Sequence, residues 1–239
     1  MPRTLIVCGT YNERDNLDRF IRSVRATLPT ADLLITDDNS PDGTGAVADA
    51  LAAADARIRV IHRPRKLGLG SAYVQAFSRG MCEGYDRFFQ MDADLSHDAG
   101  YLPEFMRTLD AGYDIVIGSR NVPGGGVIGW GPLRHVISKG GSLYARTILG
   151  LPFRDLTSGY KAYSRRALEA IHLDDIRSNG YSFQIETTYR AVLRNMRVKE
   201  VPILFADRTM GRSKMSRKIF FEAAFMVWRL RYEALRYSP

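Results

Sequence analysis

Phe88-Phe89-Gln90-Met91-Asp92-Ala93-Asp94-Leu95-Ser96-His97 runs from an apolar stretch straight into paired acids. Phe88–Met91 has the length and character of a buried strand. If Asp92-Ala93-Asp94 leaves that strand extended, side chains two apart project to the same side. Two carboxylates on one side form a hard-oxygen site for Mg²⁺ or Mn²⁺, with positions left open for phosphate oxygens. An Asp-x-Asp alone is common. Its weight here comes from closing a buried strand.

Outward from it, Leu5–Cys8, Leu33–Asp37, Ile58–Ile61 and Ile115–Ile117 read as further short strands. Leu17, Phe20, Ile21, Val24 and Leu28 form one helical stripe, with Asn12 as its expected N-cap. Ala46–Ala54, Ala72–Met81 and Leu102–Leu109 supply helices between the later strands. Strands alternating with helices predict an α/β fold with a predominantly parallel sheet, whose ligands gather at the strands' carboxyl ends. Three of those ends carry Glu13, Asp37, Asp38, Asp42, Asp92, Asp94 and Asp98, acids that repel unless something cationic joins them. Asp42 and Asp98 equally suit turns and helix caps.

A chain of 239 residues, 45% of them apolar, fits one globular core. The net charge of +8 is split: residues 1–119 carry −4 and residues 120–239 carry +12. A basic half suits phosphorylated ligands, anionic lipid or nucleic acid. Its basic residues are not interleaved with stacking aromatics, so no nucleic acid is expected. Cys8 and Cys82 are too few for a zinc site and suggest no oxidising compartment. No window reaches the roughly 18 apolar residues of a spanning helix. The expected location is cytoplasmic.

Gly68-Leu69-Gly70 invites a dinucleotide-binding reading, but that fingerprint wants glycine at position 73, where Tyr73 stands. A turn placing the next helix near a donor, flanked by Arg65 and Lys66, is the better reading. A larger ordered set of strings is more telling: Thr-Tyr-Asn-Glu at 10–13, Asp-Asp-Asn-Ser-Pro-Asp-Gly-Thr at 37–44, Arg-Lys-Leu-Gly-Leu-Gly-Ser-Ala at 65–72 and Met-Asp-Ala-Asp-Leu-Ser-His at 91–97. Gly-Ser-Arg at 118–120, Leu-Thr-Ser-Gly-Tyr-Lys at 156–161, Gly-Tyr-Ser-Phe-Gln-Ile-Glu at 180–186 and Arg-Thr-Met-Gly-Arg-Ser-Lys at 208–214 follow. In these strings the chain resembles family 2 glycosyltransferases of the GT-A (Rossmann-like) fold, and within them the dolichyl- or polyprenyl-phosphate mannosyltransferases.

The resemblance implies a catalytic domain over residues 1–215. It places Gly9, Tyr11, Glu13, Thr36 and Asp38 in the nucleoside pocket of GDP-mannose. Asp92, Ala93 and Asp94 then lie at the metal and diphosphate, and Arg120, Arg208 and Lys214 neutralise phosphates. Arg120, Arg134 and Ser138 are implied to bind the phosphate of the polyprenyl or dolichyl acceptor. Arg134 and Ser138 are four apart on the helix starting near Pro132, hence on one face. The catalytic set is thus Asp92, Asp94 and Arg120. Two departures stand out: Gly9 replaces a frequent proline, and Ser96 replaces a frequent glutamine as third metal ligand. Serine is shorter, and a bridging water serves as well as direct coordination. His97 is a weaker ligand candidate.

The chemistry agrees independently. A phosphate monoester, with a second pKa of about 6, arrives largely as the dianion and needs no general base. Single displacement with inversion and no covalent intermediate is expected. Asn121–Gly126 reads as a flexible loop, and Val127-Ile128-Gly129-Trp130 as exposed apolar surface. Residues 216–239 read as an amphipathic C-terminal helix lying on the membrane surface or packed on the core, and leave room for a membrane-embedded partner protein. The competing readings are the same reaction with UDP-glucose or another nucleotide sugar, and a non-catalytic nucleotide- or lipid-phosphate-binding module. A processive synthase would carry Gln-x-x-Arg-Trp, and no arginine precedes Trp130 or Trp228.

Overall fold

The computed structural model describes residues 2–207 and 225–234. The first half alternates as the hydrophobic pattern predicts: β1 (Thr4–Thr10), α1 (Arg14–Thr27), β2 (Asp32–Asp37), α2 (Thr44–Ala54), β3 (Ile58–His62), α3 (Leu69–Cys82), β4 (Arg87–Asp92), α4 (Leu102–Asp110) and β5 (Ile115–Ser119). Then come β6 (Gly126–Ile128), α5 (Pro132–Leu149), β7 (Lys161–Ser164), α6 (Arg165–Ile171), α7 (Gly180–Leu193), β8 (Val198–Pro202) and β9 (Leu204–Ala206). A helical segment over 225–234 follows.

The main sheet has the order β3-β2-β1-β4-β7-β5-β8. It is parallel except at β7, which runs antiparallel between β4 and β5. Side-chain alternation along the strands splits the core in two. Ile6 and Cys8 of β1 meet Leu17, Phe20 and Val24 of α1 and Phe105 of α4 on one face. Leu5 and Val7 meet Tyr73 and Phe77 of α3 and Phe183 of α7 on the other. A third cluster joins Ala145 and Leu149 of α5, Ile185 and Tyr189 of α7, and Val227 and Leu230 of the terminal helix. That helix therefore packs on the core along one face. No helix among the described residues is long and apolar enough to cross a membrane.

Several local expectations change. Asn12 does not cap α1; it is left-handed at φ 59°, and Glu13 occupies the cap position. The cap is instead assembled from the next strand end, where Arg14 N donates to Asp42 Oδ2 and Glu13 N to Thr44 Oγ1. Of Gly68-Leu69-Gly70, only Gly68 lies before the helix, at φ 99°; Leu69 and Gly70 already belong to α3, which starts earlier than expected. A Cβ on Gly70 would fall 2.4 Å from Ser178 O, so glycine lets α3 meet the segment before α7. The 121–130 stretch is more ordered than expected, because Gly126–Ile128 pairs in parallel with Leu204–Ala206.

Candidate active site

β1, β2 and β4 bring their acidic ends to one edge of the sheet. Burial, and then the charges of Asp92, Glu13 and Asp94, push the Cys8 thiol well above its usual range. One buried atom at the end of β1 thus feels all three carboxylates. β4 ends at Asp92, and residues 93–94 form a turn, so the expected extended Asp92-Ala93-Asp94 is corrected. Leu95 adopts φ 63°, and Asp94 Oδ1 closes the turn by accepting from Ser96 N at 3.1 Å and Ser96 Oγ at 2.5 Å. The Ser96 proton is therefore committed to Asp94. Asp94 is 4% exposed, whereas the Asp92 side chain is 35% exposed.

His97 supports this turn. Its Nδ1 accepts the Asp92 N–H at 3.0 Å, and its ring stacks on Tyr160 at 4.8 Å. Burial pulls its pKa down to about 4, so it is neutral near pH 7. With Nδ1 accepting, the proton is on Nε2, 4.0 Å from Asp92 Oδ2. The ring orients Asp92, the part a neighbour of a ligand commonly plays.

The hard-oxygen donor set suits a divalent cation, with Asp94 buried and Asp92 partly exposed. Among the described residues no group of three or more His, Cys, Asp or Glu side chains is placed to hold a metal. Two carboxylates leave the remaining positions to phosphate oxygens and water, as the Mg²⁺ preference requires.

Of the nucleoside-pocket candidates, Gly9, Tyr11 and Glu13 are half-buried at the edge. Lys66 Nζ lies 4.0 Å above the Tyr11 ring. Asp38 is buried, paired with Arg63 at 2.7 Å and accepting from Gly68 N at 3.1 Å. It ties the second strand's end to the start of α3. Sequence reasoning passes over Arg63 in favour of the adjacent Arg65 and Lys66; its one signal is its position just past β3. Thr36 is fully buried in β2 between β1 and β3, so its side chain packs and does not wall a pocket. Asp37 accepts from Thr10 Oγ1 and Ser40 N, and Asp42 and Asp98 receive backbone N–H groups of Thr44 and Gly100. These three acids organise loops.

Arg120, one residue past β5, is held by Asp155. Its Nε and Nη2 each donate to Asp155 at 2.7 Å, and its backbone N donates to Oδ2 at 2.9 Å. Burial disfavours the Arg120 cation, but Asp155 outweighs it and raises the pKa; the same pairing lowers Asp155 against its burial. Asp155 lies just before the Leu-Thr-Ser-Gly string, and no sequence pattern singles it out. Arg134 stacks on Trp130 at 4.2 Å and pairs with Asp207 at 2.6 Å, while Arg120 lies 5.4 Å from the same ring. Trp130 is thus half-buried between the two arginines, not the exposed residue expected; Ile128 is exposed. Arg120, Trp130, His135, Ser138 and Lys139 line an open hollow of about 100 Å³. Arg208 and Lys214 lie outside the described residues.

The sheet edge thus gathers carboxylates at the ends of parallel strands, and Arg120 and Lys139 line a separate hollow. Residues 5–172 match the family described as glycosyl transferase family 2, and the chain belongs to that family. It is 47% identical over 232 residues to the polyprenol monophosphomannose synthase of Mycolicibacterium smegmatis, covering 96% of this chain and 88% of that one. It is 46% identical over 238 residues to the undecaprenyl-phosphate mannosyltransferase of Micrococcus luteus, covering 98% of each. The fold is GT-A. The mannosyltransferase PcManGT from Pyrobaculum calidifontis, solved with GDP-Man and Mn²⁺, superposes with a TM-score of 0.60 at 14% identity, over 98% of this chain and 74% of that one.

Proposed function

We propose that this glycosyltransferase moves mannose from GDP-mannose to a polyprenyl phosphate, with inversion, at the cytoplasmic membrane face. The observation that carries this reading is the Asp92/Asp94 pair closing β4 on a chain whose arginines, Arg120 and Arg134, flank a second, cationic hollow. The names of both relatives support the mannose and the lipid phosphate. Asp92 and Asp94 would hold Mg²⁺ or Mn²⁺, with Ser96 and His97 orienting them. A divalent ion there supplies charge neutralisation for a departing diphosphate.

The acceptor phosphate is bound in this reading by Arg120, Arg134 and Ser138, and Asp155 keeps the Arg120 guanidinium in place. No side chain need remove a proton, since the dianion is already the nucleophile. Tyr11, Glu13 and the Asp38–Arg63 pair form the nucleoside end. Arg208 and Lys214 keep the phosphate-neutralising role that the resemblance implied.

The test is a panel of nucleotide sugars against one short polyprenyl phosphate, with and without EDTA. Mannosyl lipid should form from GDP-mannose, stop on chelation, and fall by about 100-fold or more in Asp94→Asn. Undiminished transfer by Asp94→Asn would remove the reading.

A further inference from the structure

Gly159 precedes β7 and faces a small gap. A Cβ built on it would lie 3.6 Å from His97 Cε1, 3.8 Å from Asp92 Oδ2 and 3.8 Å from Gln184 Nε2, with no atom closer. Side chains from the end of β4, the turn after it and α7 therefore converge on one point, over a residue with no side chain. Gln184 is 2% exposed, and its Oε1 has no hydrogen-bond partner among the described residues. A buried amide left unsatisfied is unfavourable and uncommon. Its backbone is held firmly: Gln184 O accepts from Lys161 Nζ at 2.6 Å and from Thr188 Oγ1 at 3.0 Å.

We propose that this gap binds one hydroxyl of the transferred hexose and that Gln184 is a specificity-determining residue. The inference rests on the proposed function, which puts the sugar beside the diphosphate at Asp92. A hydroxyl is both donor and acceptor, so it can accept from the Gln184 amide while donating to the Asp92 carboxylate. With the amide turned over, Oε1 faces the gap and takes the hydroxyl's single proton in place of Asp92. Gly159 keeps the space open; alanine there would fill it at ordinary contact distances without a clash.

The experiment uses the full chain as wild type, Gln184→Met and Gly159→Ala. It measures kcat/KM for GDP-mannose and its monodeoxy analogues with a short polyprenyl phosphate, and Kd for GDP. The wild type should lose about 10- to 100-fold on one particular deoxy sugar. Each variant should lose a similar factor on GDP-mannose, show no further loss on that analogue, and bind GDP within about twofold of wild type. Gly159→Ala decides the matter if Gln184→Met does not fold. Variants that discriminate among all analogues as the wild type does would show a gap holding only water and overturn the proposal, as would GDP affinity falling in step with turnover. A wild type that moves no mannose to the lipid would overturn the proposed function and this inference together.

Discussion

Lys161 is a cation with no side-chain anion bonded to it among the described residues: fully buried in β7, its Nζ donates to Gln184 O and Thr188 Oγ1. Burial lowers its pKa from 10.5 to about 7, against the pull of Asp155. Between those values the unfolded chain holds a proton that the folded one has released, so this group makes stability rise with pH across that window. Lys161→Met should therefore abolish this rise, so that its stability relative to wild type falls between pH 7 and pH 10; urea midpoints at both pH values check this. Arg134 makes a different kind of prediction. It packs on Trp130 at the hollow's rim, so Arg134→Ala should raise the acceptor KM about tenfold or more and the donor KM little. Equal effects on both would withdraw the acceptor role. Sequence strings mark Arg120 and Arg134, but Asp155 and Arg63 stay hidden in them. Their partners are 35 and 25 residues away in the chain, and no local pattern records such a pairing.

At the scale of elements, two glycines should respond in opposite directions. Gly70 touches the backbone of Ser178, which cannot retreat like a flexible side chain, so Gly70→Ala should cost about 1–3 kcal/mol. It should weaken GDP binding too, because Gly68, two residues earlier, is bonded to Asp38. A Cβ added at Gly140 in α5 would meet nothing within 4 Å, and Gly140→Ala should stabilise by about 0.5–1 kcal/mol through helix propensity. Chemical denaturation of the pair tests both signs. Short apolar runs and the 3.6-residue stripe make the five strands and most helices of the first half readable. They could not reveal β7, four residues of Lys161–Ser164 whose strand character comes from neighbours on both sides. The turn after Asp92 is equally unreadable, since its closure depends on Ser96 bonding back to Asp94.

Over the whole molecule, the acidic first half surrounds the sheet edge and the basic second half supplies the hollow. α5 leaves Val136 and Leu143 exposed, and the terminal helix leaves Phe225 75% and Trp228 58% exposed, while Val227 and Leu230 pack inward. This supports peripheral attachment to the membrane at the proposed cytoplasmic face. Phe225→Ser combined with Trp228→Ser should lower binding to anionic vesicles about tenfold or more, with residual binding weakened further by salt. Turnover of a short soluble acceptor should change less than about twofold. Unchanged partitioning would reject the attachment. The amino-acid sequence by itself determined the alternation of elements, the acidic strand ends and the family, because periodicity and ordered strings are local properties. Only the tertiary structure decided which acids are spent on loops, which arginine is locked by Asp155, and that Gln184 meets Asp92 and His97 across Gly159. Those are contacts between distant segments, and their energies exist only once the sheet has brought the segments together.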